Sequence, residues 1–278
     1  MYRSLVYMAS GVLVAGLGSA PAQADEQCCA VVELRQYLLK PGRRDDLMAV
    51  FERYFLEGQE QYPMRVIGQF RNQRDPNYFV WLRGFADMER RREALEGFYR
   101  GPVWKAHSAA ANDTMIDSDN VLLLKPARND SGFRLSSTVR PVLDAAELAH
   151  GGLFVLTIHY FEAPVDGAFL DFFGAEIAPA LQAAGAPVLA QFVTELSPNT
   201  FTALPVRERE NVFVWVTSFA SQAAYQAHRA ALESNRDWQQ RLAPALRARS
   251  SKPEEVLELV PGARSLLRHD THGTPPQG

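Results

Sequence analysis

Cysteine is nearly absent from this 278-residue chain, and its two copies, Cys28 and Cys29, are neighbours. Two adjacent cysteines cannot form the framework of a disulfide-rich scaffold. No ligand-type residues gather around them to complete a metal site. They can close a small strained ring, link two chains, or remain a flexible inert pair. Lysine is also scarce, occurring at Lys40, Lys105, Lys125 and Lys252, so the positive charge is almost all arginine. Charge of one sign is lacking: 29 Lys+Arg against 32 Asp+Glu leaves −3, which excludes a globally basic nucleic-acid binder. No segment after the N-terminus approaches the roughly 20 apolar residues of a membrane-spanning helix. The phosphate-binding loop, the dinucleotide glycine fingerprint, HExxH, CxxC and GxSxG are all missing, so no metal and no particular cofactor is signalled. What is present is a globular balance, 47% hydrophobic and 22% charged, over a length typical of about two domains.

The first residues read as an export signal. Arg3 precedes an apolar stretch from Leu5 to Leu17, and Ala22-Gln23-Ala24 fits the small-x-small rule for signal peptidase. Cleavage is expected after Ala24, giving a periplasmic or secreted protein with no membrane span in the mature chain.

The rest of the chain carries a repeat. Glu33-Leu34-Arg35-Gln36-Tyr37 opens one copy and Leu156-Thr157-Ile158-His159-Tyr160 the other. Gln69-Phe70 pairs with Gln191-Phe192, Phe79-Val80-Trp81 with Phe213-Val214-Trp215, and Trp104 with Trp238, with one loop expansion near Pro198–Arg209. Several matches in order indicate a diverged duplication. The expected domains are 25–126 and 153–262, joined by a linker over 127–152 and followed by a disordered tail over 263–278. Each copy reads as strand, helix, strand, strand, helix, strand, the ferredoxin-like split βαβ unit. Helices cover one sheet face, so the other face must be buried elsewhere. The expected architecture is therefore α+β: two tandem ferredoxin-like domains with antiparallel sheets packed face to face, within one chain or across a homodimer.

The segments ELRQYLLKPGRRDDLMAVFERYF, FVWLRGFADMERRREA and GPVWKAH resemble the NIPSNAP family, well over residues 31–126 and more loosely over 153–262. The resemblance implies the dimeric α+β barrel fold, whose members include small monooxygenases and haem-degrading enzymes. It implies no agreed reaction. The second copy departs from the pattern, with Leu156 and Ile158 standing where the first copy has Glu33 and Arg35.

Strand alternation puts Glu33, Arg35 and Tyr37 on one face, expected to look into the barrel interior. Glu33 and Arg35 can pair there as a structural tie, or Arg35 can clamp an acidic ligand. Gln69 and Gln191, polar at equivalent strand positions, together with Tyr160, complete the candidate ligand-binding set. Trp104 and His107, three apart on a helix, are the candidate catalytic pair, since relatives of this fold line their lumen with Trp and His. The competing reading makes Trp104 a core anchor and His107 a capped or exposed helix residue. His159 reads as a satisfied histidine, and the Arg90–Arg92 run as a solvated helix face. The function expected is binding of a small ligand in the barrel interior. The alternatives are a cofactor-independent or haem-linked monooxygenase and a structural protein acting through its sheet face.

Overall fold

The computed structural model describes residues 28–135, 139–142 and 152–269. The segment read as an export signal and residues 270–278 lie outside them. Strand β1 (Val31–Leu39) ends at Pro41-Gly42, where Gly42 takes φ +77°, a turn conformation that costs a side-chain-bearing residue. Helix α1 (Arg44–Val50) runs through a π-helical turn, Phe51–Phe55, into α2 (Leu56–Glu60). Strands β2 (Arg65–Asn72) and β3 (Tyr78–Phe85) form a hairpin. Asp87 caps α3 (Met88–Arg100) by accepting from Arg90 N at 2.7 Å, and Pro102 opens α4 (Pro102–Asn112) where its missing N–H has no helical partner to lose. Strand β4 (Met115–Pro126) closes the first half.

The second half repeats the order. It runs β5 (Leu153–Phe161), α5 (Gly167–Phe172), a π turn (Phe173–Ile177), α6 (Ala178–Ala183), β6 (Val188–Thr194) and β7 (Asn211–Phe219). It ends with α7 (Gln222–Ser234), a π turn (Trp238–Leu242), α8 (Ala243–Arg247) and β8 (Glu255–Pro261). Asp166 and Ser221 cap α5 and α7 as Asp87 caps α3.

The sheets differ from two separate stacked layers. Within each half the strands are antiparallel, and the eight close into one barrel in the order β1-β3-β2-β8-β5-β7-β6-β4. The seams are β2 with β8, through Phe70↔Pro261 to Asn72↔Leu259, and β4 with β6, through Leu124↔Thr194 to Pro126↔Phe192. Each half alone would expose two strand edges with unpaired N–H and C=O groups; the seams pair them. The inner faces still meet across the interior, with Phe70 and Phe154 ring centroids 5.9 Å apart. No helix among the described residues is long and apolar enough to cross a membrane.

That interior is filled. Leu34, Phe70, Leu122 and Leu82 from the first half pack with Phe154, Leu156, Phe192 and Val214 from the second. The cavities described below lie between sheet and helices, not among these interior residues where the sequence placed a ligand. Replacing Phe70, fully buried at the seam, by alanine is expected to cost about 3–5 kcal/mol, read as a lower urea midpoint at unchanged slope.

Several connecting segments join this core. Part of the tail read as disordered, up to His269, is packed: Leu266 and Leu267 are buried against the barrel residues. Phe133 and Leu135 of the expected linker do the same. Cys28 and Cys29 are not a free flexible pair but a disulfide, with Cys29 buried and Cys28 N donating to Phe133 O at 2.8 Å. Gly84 lies directly beneath Cys29 Sγ, where any Cβ would collide with it.

Register corrects the repeat. Arg35 pairs with Trp81, and Thr157 with Trp215. Gln69 and Gln191 face the same two tryptophans from the other side. Glu33, Arg35, Tyr37 and Arg83 thus correspond to Val155, Thr157, His159 and Thr217. The match of Tyr37 with Tyr160 is one residue out, and a one-residue shift exchanges the two faces of a strand. With His159 in place, the spacing to the following Gln is 32 residues in both halves.

Candidate functional site

The same register places Glu33, Arg35 and Tyr37 opposite to expectation. Val32 and Leu34 enter the barrel, whereas Val31, Tyr37 and Leu39 pack with the helix residues Leu47, Phe51, Phe55 and Phe98. Glu33 is fully buried at the centre of a guanidinium cluster. Its Oε2 accepts from Arg35 Nη1 at 2.8 Å and from Arg83 Nε at 2.7 Å, and its Oε1 accepts from Arg91 Nε at 2.7 Å. Burial alone would raise the Glu33 carboxyl; Arg83, Arg35 and Arg91 outweigh it and hold the group well below the usual carboxylate range. Arg35 Nε also donates to the Tyr37 hydroxyl at 2.9 Å, and burial keeps that hydroxyl protonated by raising its pKa. Arg83 donates to Gln59 Oε1 at 3.0 Å and lies over the Trp81 ring at 5.0 Å.

The expected pairing of Glu33 with Arg35 is therefore present, but two further partners, Arg83 and Arg91, were missed. The Arg90–Arg92 run is not uniformly solvated. Arg90 is exposed and Arg92 half-buried, and they pair with Glu93 and Glu89, while Arg91 is fully buried on the face that carries Ala94, Leu95 and Phe98. That face was the available signal, since Arg91 precedes Ala94, Leu95 and Phe98 at helical spacing.

The loop expansion of the second half covers this cluster. Arg91 Nη1 donates to Asn199 Oδ1 at 3.0 Å and to Thr200 Oγ1 at 3.2 Å. Phe201 stacks on Tyr99, with centroids 5.8 Å apart. Beneath it Tyr37, Gln59, Trp81, Tyr99, Trp104 and Leu204 help line a cavity of about 90 Å³. That is smaller than the roughly 150 Å³ space that admits benzene.

Trp104 packs on Phe55, Phe98 and Tyr99, while His107 stacks flat on Tyr54 with centroids 3.6 Å apart. A tetrapyrrole does not fit the cavity beside Trp104, so the pair does not form a haem site. Gln69 faces the first helix layer and donates to Glu52 Oε1 at 3.0 Å; Gln191 is half-buried on the second layer's side. Tyr160 is separate from all of these, inside the barrel core with its hydroxyl donating to Glu255 Oε2 at 2.7 Å. The structure brings Glu33, Arg35 and Tyr37 together, sets Gln69 and Trp104 on the same helix layer, and leaves Gln191 and Tyr160 elsewhere.

The corresponding layer of the second half is open. Thr157 and Thr217 stand where Arg35 and Arg83 stand in the first, and Val155 where Glu33 stands. A cavity of about 210 Å³ occupies that space, lined by these three with Trp215, His228 and Trp238 among others. A second cavity of about 560 Å³ adjoins it through the shared Trp238, Leu246 and Glu254, and is lined also by His159, Ser250 and Lys252. His159 is 1% exposed. Its Nδ1 lies 3.4 Å from Ser250 Oγ and 3.7 Å from Glu254 Oε2. Its Nε2 is buried with no hydrogen-bond partner among the described residues. Burial pushes its pKa down to about 4, so the ring is neutral at pH 7. His159 was therefore underestimated as a satisfied histidine. Among the described residues no group of three or more His, Cys, Asp or Glu could hold a metal ion.

An eight-stranded antiparallel barrel with helices outside, built from two βαββαβ halves, is closed within one chain. Residues 32–129, in its first half, match the NIPSNAP family model. Solved structures similar to the chain include a NIPSNAP family protein of unknown function from Agrobacterium tumefaciens, 23% identical, covering 38% of this chain and 93% of that one at TM-score 0.34. A NIPSNAP domain protein from Burkholderia xenovorans is 21% identical over 35% of this chain and 94% of its own, at TM-score 0.33. A protein from Fusobacterium nucleatum, named as a candidate monooxygenase, spans 83% of this chain and 91% of its own at 11% identity and TM-score 0.49. No curated protein matches the chain.

Proposed function

We propose that this protein binds a small molecule between the sheet and the helices of its second half, and that the charged cluster of the first half is the brace of the barrel. One observation carries the reading. At equivalent strand positions Glu33, Arg35 and Arg83 fill the space under the helices, whereas Val155, Thr157 and Thr217 leave it empty. Close-packed interiors rarely leave such volume without use. The larger cavity, about 560 Å³, lies within the roughly 300–1,000 Å³ typical of ligand pockets. Apolar and aromatic walls with a few polar groups are the usual make-up of such a site. We also propose that the protein acts after export, on the strength of Arg3, the apolar stretch Leu5–Leu17 and Ala22-Gln23-Ala24.

A thermal-shift screen of small ring compounds tests the binding reading. Binders should raise the wild-type Tm and leave a Leu246→Trp variant, which enlarges a side chain that lines both cavities, unmoved. A Thr157→Arg variant, which rebuilds the first half's side chain in the second, is the independent check. Shifts that persist in both blocked variants, or a screen with no shifts at all, would refute a site in this cleft.

A further inference from the structure

The second-half cleft has a chemical character that narrows what it can hold. The inference rests on the reading that this cleft binds a ligand, and goes on to name the ligand's class. The cations that line it face anions: Arg229 pairs with Glu233 at 3.7 Å, Lys252 with Glu210 at 2.9 Å, and Arg247 acts on Glu254. Each of these cations has an anionic neighbour, with Glu210 shared between Lys252 and Arg207, so the cleft has no cluster like that of the first half, where three guanidiniums surround one carboxylate. Trp215, Trp238, Leu181, Leu232 and Leu246 supply apolar and aromatic surface. One lining group is left unmatched, the buried Nε2 of His159.

The tautomer follows from the other nitrogen. Nδ1 faces a hydroxyl and a carboxylate, and a carboxylate can only accept, so the proton of the neutral ring belongs on Nδ1. Nε2 is then a bare acceptor. A buried acceptor without a donor carries a desolvation penalty that a ligand N–H or O–H removes. In the first half the same strand position is Tyr37, which already has its partner in Arg35. Gln69 Oε1 in the first half is also a buried acceptor without a partner, but His159 is the one that lines this cleft.

We propose that the cleft takes an uncharged planar ring compound carrying an N–H or O–H donor, and that His159 Nε2 accepts that hydrogen while Trp215 and Trp238 contact the ring. Indole and 1-methylindole are suitable probes, because they share the ring system and differ in the donor. Calorimetric titration at pH 7.5 should show indole binding on the order of tenfold more tightly than 1-methylindole, the discrimination expected when a polar site is left unpaired. His159→Phe should bring the two affinities together, and His159→Gln, which can still present an acceptor, should keep part of the difference. Leu246→Trp, at a residue lining both cavities, should weaken both probes alike.

Equal affinity of the two probes for wild type would overturn the donor requirement while leaving the cleft as a binding site. Discrimination that survives in His159→Phe would overturn the assignment to His159. Binding of both probes unaffected by Leu246→Trp would overturn the location itself, and with it the reading on which this rests. Absence of any binding by either probe would overturn the ligand class; the wider screen then decides whether the cleft binds at all.

Discussion

Glu33→Gln is expected to cost the protein about 3–5 kcal/mol, the scale of breaking a buried charge network by removing one partner. Glu33 is the carboxylate bonded to Arg35, Arg83 and Arg91, and all four side chains are fully or almost fully buried. A neutral amide accepts fewer and weaker hydrogen bonds and leaves three guanidiniums without a counter-charge. Against a typical total stability of about 5–15 kcal/mol, this is enough to leave some preparations partly unfolded at 37 °C. Urea denaturation of the two proteins at pH 7.5 measures it. A loss below about 1 kcal/mol would mean that cation–π contacts with Trp81 and Tyr99, not the carboxylate, hold the arginines.

The same residue predicts an acid limb. The folded-state pKa of Glu33 lies well below the unfolded value of about 4.3, so its stabilisation is complete above that value and is lost as pH falls toward the folded one. Wild-type stability should decline below about pH 4.5, and Glu33→Gln should lack that part of the slope.

How much of this was legible in the sequence follows from which signals are local. The strand pairs Gln69/Gln191 and Trp81/Trp215 were readable because hydrophobic period is short-range. The direction of the β1 face was not. A strand buried on both sides gives no polar-out signal, and β1 is buried at eight of nine positions, so alternation alone left the choice of face open. Matching Tyr37 to Tyr160 by residue type then placed the second strand one residue out. Only pairing with Trp215 shows that His159 is the true counterpart. Arg91 was hidden because its neighbours Arg90 and Arg92 pair with glutamates of their own helix. The loop around Asn199 was visible as an insertion, but its contact with Arg91, 108 positions earlier, is a property of barrel closure and not of either segment. The open cleft was least visible of all. Volume appears where Arg35 and Arg83 are replaced by threonines, and that is meaningful only once the register is known.

His159 sets the second large effect, again through pH. Its folded pKa of about 4 lies below the unfolded value of about 6.5, the reverse of a histidine that gains a partner. Between those values the unfolded chain binds more protons than the native one, so stability falls as pH is lowered through that window and levels off below it. The separation corresponds to at most about 3 kcal/mol. Neighbouring groups modify the slope with known signs. Burial also lowers the pKa of His228, which bonds Ala184 O, and adds to the loss. Glu254, raised by burial and 3.7 Å from His159, binds its proton more readily in the folded state and opposes part of it near its own titration. His159→Phe should therefore flatten, without abolishing, the dependence of the urea midpoint on pH between about 6.5 and 4, while leaving the Glu33 limb below about 4.5 in place. Glu33→Gln should do the opposite. Measured on the two single variants and the double, the two effects should add, because the residues lie in different helix layers and share no partner. A single slope removed by either substitution alone would show that the two layers unfold as one titrating unit.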